Sequence, residues 1–140
     1  MTDISIVWLR RDLRLGDNQA LLAAIAAGGA VVPLFLYDEA VEALGAAARQ
    51  RLGASLARLQ ADLAALGSRL VLRSGPARAT LDAVVCETGA TSVHWQRSYD
   101  PTYRTRDTEI KASLTARGVK AVSHKGFLLF EPWDVATQTG

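Results

Sequence analysis

The sequence predicts an α/β protein with a Rossmann-like, doubly wound sheet of five parallel strands in the order 3-2-1-4-5 and helices on both faces. Short β-rich runs alternate with helical stretches, a pattern typical of parallel strands joined by crossover helices. Right-handed crossovers leave few other strand orders. The 140 residues, 49% of them hydrophobic and 21% charged, predict one compact globular domain over 1–140.

The first half of the chain holds two strands and two helices. Asp17 or Asn18 is predicted to cap the first helix, which stops before two glycines. The elements are predicted at 4–9 (strand), from this cap to about 27 (helix), at 30–37 (strand) and at 47–66 (helix). Leucines at spacings of three and four put one apolar stripe of the long helix on the sheet: Leu52, Leu56, Leu59, Leu63 and Leu66.

The second half continues the alternation. Its elements are predicted at 69–73 (strand), 77–88 (helix), 91–95 (strand), 103–117 (helix) and 119–123 (strand). The helix over 77–88 follows a Ser-Gly-Pro turn and directs Leu81, Val84 and Val85 inward. No partner helix is predicted for the tail over 127–140.

Ligands of doubly wound sheets lie beyond the carboxyl ends of the strands, where the winding direction switches. This rule selects the loops over 10–18 and 96–107, with Tyr37 and Asp38 after the second strand as their neighbours. The sequence therefore predicts a ligand cleft at this edge.

The first of these loops is dense in charge. Asp12 lies among Arg10, Arg11 and Arg14, and we expect it to pair with one of them. The loop is then either a structural ion-pair cluster or an anion site. No Gly-rich phosphate motif follows the first strand, which argues against the ordinary dinucleotide and nucleoside triphosphate sites.

Other residues that often carry chemistry receive structural interpretations. His94 and His124 lack further ligands at metal-site spacing, so we expect packed or surface side chains and no metal site. Cys86 is predicted to be a small core residue. The strand tryptophans are predicted to be core residues, and the tail tryptophan to pack on another domain: Trp8, Trp95 and Trp133.

Charge and cysteine content bear on partners and location. A net charge of +2 and a pI near 9.0 are only mildly basic, so we expect weak or no DNA binding by this chain. A single cysteine excludes an internal disulfide and favours a reducing compartment, the cytoplasm. The early apolar run is too short for a membrane helix, so no membrane partner is expected.

The segment VWLRRDLRLGDN at 7–18 resembles the opening motif of the photolyase and cryptochrome family over eleven positions. Further family landmarks follow in order: LFLYD at 34–38, YDP at 99–101, RD at 106–107 and LLFEPW at 128–133. The resemblance covers essentially the whole chain.

This resemblance implies an antenna-chromophore-binding domain of a light-dependent DNA-repair flavoprotein, a deoxyribodipyrimidine photolyase. In the family, FAD, UV-damaged DNA and the electron-relay tryptophans belong to a helical C-terminal domain, to which the tail from about residue 124 would lead. The resemblance implies no catalytic residue within 1–140.

The resemblance also implies site residues. In members that hold a deazaflavin, Phe35 would border the ring, Arg49 would fix a polar edge and Asp100 would lie on the rim. Folate-binding members carry Asn-Glu where this chain has Thr102 and Tyr103, which disfavours a folate. A deazaflavin or flavin, or an empty cleft, is expected. Loops and resemblance together give the predicted cofactor-binding residues: Arg10, Phe35, Tyr37, Asp38, Arg49, Ser98, Asp100 and Thr102.

Two alternatives stay open. A cryptochrome blue-light photoreceptor shares this domain and differs mainly in residues outside 1–140. A free-standing nucleotide-binding module of the universal-stress or electron-transfer-flavoprotein type has a similar sheet. The opening motif and the tail argue against that module.

Overall fold

A computed structural model describes residues 3–10, 19–97 and 101–124. Among them, five strands form one parallel sheet in the order β3-β2-β1-β4-β5, which confirms the predicted fold class. The strands are β1 (Ile4–Leu9), β2 (Ala30–Tyr37), β3 (Val71–Ser74), β4 (Ser92–Gln96) and β5 (Lys120–His124).

Helices follow the first four strands. They are α1 (Gln19–Ala26), α2 (Glu39–Glu42), α3 (Ala46–Ala65), α4 (Ala77–Thr88) and α5 (Pro101–Ala116). The short helix α2 was not predicted from the sequence. It forms because the Asp38 carboxylate accepts hydrogen bonds from the backbone N–H groups of Ala40 and Val41, a typical N-cap. The predicted cap of α1, Asp17 or Asn18, lies outside the described residues.

Side chains alternate between the two faces of the sheet and form two separate cores. On one face, Trp8 and Trp95 meet edge to face, 5.7 Å apart between ring centroids, under α4 and α5. We call this the Trp8 face. On the other, Phe35 packs with α1 and α3, and we call this the Phe35 face. Both strand tryptophans are therefore core, as predicted, whereas Trp133 lies outside the described residues.

The helix stripes were predicted with one exception. Leu56, Leu59 and Leu63 are buried and Leu52 packs beside them. The prediction for Leu66 was wrong, because this residue is 72% exposed. It follows the last residue of α3, where Gly67 turns the chain away with a φ of 78°, and so has left the helical stripe.

The prediction that Cys86 is a core residue was also wrong, because Cys86 is exposed. On α4 the predicted residues do face inward: Leu81, Val84 and Val85 are all buried. Position 86 lies about 100° further around the helix and so reaches the outer side. Its Sγ atom contacts the Arg117 guanidinium at 3.0 Å.

None of the described helices is long and apolar enough to span a membrane.

Candidate functional site

Parallel strands bring their carboxyl ends to one edge of the sheet, which we call the carboxyl edge. Arg10 follows β1, Asp38 follows β2 and Gln96 ends β4, so the described parts of the predicted loops meet there. The structure does not describe the side chains of three predicted site residues. Ser98 and Asp100 lie outside the described residues, and Thr102 belongs to α5 without a described side chain.

Arg10 is held on the Trp8 face. Its guanidinium donates to Asp107 Oδ2 at 2.5 Å and to the backbone carbonyl of Gln96 at 2.6 Å. The same group lies 5.0 Å above the Trp8 ring centroid, in cation–π geometry. Arg10 therefore ties the end of β1 to β4 and α5, which favours the ion-pair interpretation of this residue over an anion site.

Arg106 is the centre of the cluster. Its guanidinium donates to Asp38 Oδ2 at 3.2 Å, to Glu39 Oε1 at 2.9 Å and to Asp107 Oδ1 at 3.1 Å. It also lies 5.4 Å from the Trp8 ring centroid and 4.9 Å from that of Tyr103. Bound by three carboxylates and two rings, Arg106 is positioned to fix α2 and α5 together.

Glu39 extends the cluster to α4, because its Oε2 accepts the backbone N–H of Ala77 at 3.1 Å, in the first turn of that helix. We call Arg10, Asp38, Glu39, Arg106 and Asp107 the carboxyl-edge ion cluster. It joins three elements around the end of β1. Its components therefore set the relative positions of the loops that would surround a ligand.

Burial and pairing shift the protonation of these groups in different directions. Burial raises the pKa of Asp38 above its ordinary value, although Arg106 and two amide donors oppose the shift. Burial would also raise the pKa of Glu39, but hydrogen bonds from its own amide, Arg106 and Ala77 outweigh it and lower that pKa. Burial disfavours the Arg106 cation, yet its carboxylate partners raise its pKa and keep it charged.

Phe35 and Tyr37 lie on the opposite face from this cluster. Phe35 is only 1% exposed and belongs to the core under α1 and α3. Tyr37 packs edge-on against it, with ring centroids 5.3 Å apart and planes at 83°, and is 39% exposed. Tyr37 thus presents the aromatic surface at this end of β2, with Phe35 as its support.

Arg49 lies in the first turn of α3, on the same side of the sheet as Phe35 and Tyr37. Its guanidinium donates to the backbone carbonyl of Glu42, at the end of α2. The side chain is exposed. The structure therefore divides the predicted site: Arg10 and the Asp38 carboxylate belong to the ion cluster, while Tyr37 and Arg49 share the other side.

Sequence reasoning missed the contribution of Asp107. Asp107, Ile110 and Leu114 are all buried, at the spacing of three and four that marks one face of a helix. A carboxylate on a buried stripe requires a cationic partner, and this pattern would have predicted one for Asp107.

A second unpredicted feature is a histidine pair. His94 Nδ1 and His124 Nε2 are 3.1 Å apart, with nearly parallel rings at 21°. His94 is 5% exposed, and its Nε2 is buried without a hydrogen-bond partner among the described residues. Burial lowers the pKa of both histidines, and nearby cations add to the effect: Lys120 for His94, and Arg97 and Lys111 for His124, with His94 also acting on His124.

The histidine pair predicts acid sensitivity. Unfolded histidine titrates near pH 6.5, and the folded pair has lower pKa values, so the unfolded chain binds more protons as the pH falls below about 6.5. Above about pH 6.5 the histidines are neutral in both states and do not lower the free energy of unfolding. We expect this free energy to fall as the pH drops from about 6.5 towards 5. Urea unfolding of the wild type and of a His94→Leu/His124→Leu variant checks this. An equal pH slope in both proteins would contradict it.

The described residues of the carboxyl edge include groups that can bind a ligand. The described residues contain no group of three or more His, Cys, Asp and Glu side chains able to hold a metal ion. Arg10 and Arg106 are engaged by carboxylates. Tyr37 and Arg49 offer an exposed ring and an exposed cation, which suit a planar ligand with a polar edge.

Relatives of known structure share this fold. A class III photolyase from Agrobacterium tumefaciens is 44% identical, with a TM-score of 0.92 over 100% of this chain and 29% of that protein. An archaeal photolyase from Sulfolobus tokodaii, described with two FAD molecules and the implication of a novel light-harvesting cofactor, is 26% identical, with a TM-score of 0.81 over 91% of this chain and 30% of that one.

Curated relatives agree. Cryptochrome-1 of Arabidopsis thaliana is 42% identical over 97% of this chain and 20% of its own length. The deoxyribodipyrimidine photo-lyase of Agrobacterium fabrum is 44% identical over 96% of this chain. The chain spans 28% of that photo-lyase. The DNA photolyase family model matches residues 5–140, and the chain therefore belongs to the DNA photolyase family.

Proposed function

We propose that this chain is the antenna-chromophore-binding domain of a light-dependent DNA-repair flavoprotein, a deoxyribodipyrimidine photolyase. The observation that carries the proposal is the 44% identity to a class III photolyase with a TM-score of 0.92 over all of this chain. An antenna transfers excitation by dipole coupling, so the protein's task is to hold a planar chromophore rigidly. The sheet and its ion cluster would provide that rigidity.

We propose that catalysis takes place in another part of the polypeptide. The chain spans only 28% of the length of the Agrobacterium photo-lyase, which leaves room for a separate domain in such proteins. We propose that a helical domain following this one binds FAD and the UV-damaged DNA. The net charge of +2 supports weak DNA binding by this chain itself.

The proposed antenna site lies on the Phe35 side of the carboxyl edge. Tyr37 would stack on the chromophore ring, supported from behind by buried Phe35. Arg49 would donate to a polar edge, since its side chain is exposed at the start of α3. Asp100 remains a predicted rim residue, and Ser98 remains a predicted cofactor-binding residue of the loop after β4. A flavin or deazaflavin is proposed, because the Sulfolobus relative is described with two FAD molecules and the implication of a novel light-harvesting cofactor.

A titration tests this site. We expect the chain to bind FAD, FMN or a deazaflavin and to quench or shift its fluorescence, with methenyltetrahydrofolate bound more weakly. Replacing the ring in Tyr37→Ala should weaken flavin binding about three- to tenfold, the usual size of an aromatic stacking contribution. Fluorescence anisotropy of the chromophore measures the affinity.

Two control variants accompany the titration. Tyr37→Phe keeps the ring and should bind like the wild type, and Leu66→Ala alters another exposed apolar residue, beyond the end of α3, without changing affinity. Unchanged affinity in Tyr37→Ala, or preferential binding of the folate, would overturn the assignment. Unchanged affinity in Arg49→Ala would remove that residue from the site.

A cryptochrome photoreceptor is the second candidate, favoured by the 42% identity to Arabidopsis Cryptochrome-1 over 97% of this chain. Light-dependent reversal of pyrimidine dimers by the full-length protein would decide between the two. Repair supports the photolyase assignment. Flavin photoreduction without repair supports the cryptochrome.

A further inference from the structure

Helix α1 places its small residues against the sheet and exposes two of its three large apolar side chains, whereas the third, Leu21, packs on the core. Ala20 and Ala24 are fully buried against the sheet, while Leu22 and Ile25 are 53% and 58% exposed. A surface helix normally shows the reverse, with bulky apolar residues on the core side. Leu22, Ile25 and the exposed Ala26 lie at spacings of three and four on one side, which we call the outer face of α1.

The charge pattern separates α1 from the other described helices. Its sequence, QALLAAIA, contains no charged residue, whereas each of α2, α3, α4 and α5 contains several. A helix that is apolar all round is typically covered on both sides. The outer face of α1 is therefore a candidate surface for another element to cover.

The position of α1 narrows the choice of that element. The helix packs on the sheet over β1, β4 and β5. Since it follows β1 in a parallel sheet, it begins at the carboxyl edge, and Leu22 lies in its first turn. Strand β5 ends at the same edge with His124. The chain after His124 thus starts beside the first turn of α1.

The sequence after β5 has the matching composition. Residues 127–133, FLLFEPW, are apolar at every position except Glu131. An extended chain spans about 3.3–3.6 Å per residue, so residue 127 can lie about 10 Å from His124. An eight-residue helix is about 12 Å long, so four extended residues match it.

We propose that residues 127–130 of this chain dock on the outer face of α1. A second copy is a weaker occupant, since a stable dimer buries about 800 Å² per partner, far more than one face of so short a helix offers. A tethered segment also acts at the high effective concentration that a short linker provides. This inference rests on the composition and exposure of α1 and does not depend on the bound chromophore.

Cysteine labelling tests the docking. In a Cys86→Ser background, Ile25→Cys is reacted with a charged thiol reagent in the chain 1–140, with and without serine replacing Phe127, Leu128, Leu129 and Phe130. We expect the serine tail to accelerate labelling at position 25 about tenfold, the effect of exposing one large apolar side chain. Leu66→Cys, at a position 72% exposed beyond the end of α3, is the matched control and should label equally fast in both chains.

Three outcomes would overturn the proposal. Equal labelling rates at position 25 in the two chains would mean that residues 127–130 do not cover it. Equal acceleration at the Leu66 control would indicate general loosening. Slower labelling at rising protein concentration would indicate a second copy. If the serine tail prevents folding, disulfide formation between Ile25→Cys and Leu128→Cys, compared with Leu66→Cys and Leu128→Cys, decides the question: docking requires the first pair to form faster.

Discussion

Replacing Arg106 with methionine is expected to lower the free energy of unfolding by about 3–5 kcal/mol, because it leaves the buried Asp38 carboxylate without its cation and Asp107 with Arg10 alone. Asp38 and Asp107 are only 4% and 7% exposed, and both accept hydrogen bonds from the Arg106 guanidinium. Methionine preserves the aliphatic stem and so isolates the loss of charge and donors. Urea unfolding followed by circular dichroism measures the effect.

Arg73→Met is the matched control. Arg73 pairs with Glu87 at 3.6 Å, and the two side chains are 45% and 59% exposed. Exposed pairs of this kind contribute about 0–1 kcal/mol, so the control should unfold nearly like the wild type. The comparison separates the burial of the ion cluster from the simple removal of one arginine.

Arg106→Lys keeps the result informative if the methionine variant does not fold. Lysine retains the positive charge but cannot reproduce the fork that reaches Asp38, Glu39 and Asp107 together. Its stability should lie between those of the wild type and Arg106→Met. Equal stabilities of Arg106→Met and Arg73→Met would contradict a central role for Arg106.

Much of the fold follows from local patterns in the sequence. The predicted helix over 77–88 coincides with α4, and the predicted strand over 30–37 coincides with β2. The helix has an apolar period that fits one structure, the strand is a short continuous apolar run, and glycines lie next to both elements. The prediction for Leu66 failed because Leu66 follows the last residue of α3. It continues the leucine spacing in the sequence, but its side chain no longer lies on the buried face of the helix.

The candidate site was harder to predict because side-chain direction depends on alternation and on contacts distant in sequence. Phe35 and Tyr37 both point to the Phe35 face, yet Phe35 is covered by α1 and α3, while Tyr37 at the strand end is not. Arg10 lies two residues after Trp8, so its side chain points to the same face as Trp8, opposite to Phe35. Its partner Asp107 is 97 residues away, a pairing that no local pattern specifies.

Gly29→Ala is the second substitution with a large expected effect. A Cβ atom at this position would lie 2.0 Å from the backbone oxygen of Asp3, which no side-chain rotation can relieve. That oxygen also accepts the N–H of Ala30 at 2.9 Å, next to the pairing of Ile4 with Ala30 that begins the β1–β2 ladder. We expect a loss of at least about 3 kcal/mol in the free energy of unfolding.

Gly28→Ala provides a nearly ideal comparison. Gly28 and Gly29 have φ angles of 80° and 78°, so alanine meets the same left-handed strain at both positions. At Gly28, however, no atom of the described residues beyond its chain neighbours lies within 4 Å of the added Cβ, and the cost should be only the conformational strain, about 1–2 kcal/mol. Urea midpoints of the two variants give the difference. Equal midpoints would show that the Asp3 carbonyl yields without loss, and that the start of the β1–β2 ladder does not depend on the close approach at Gly29.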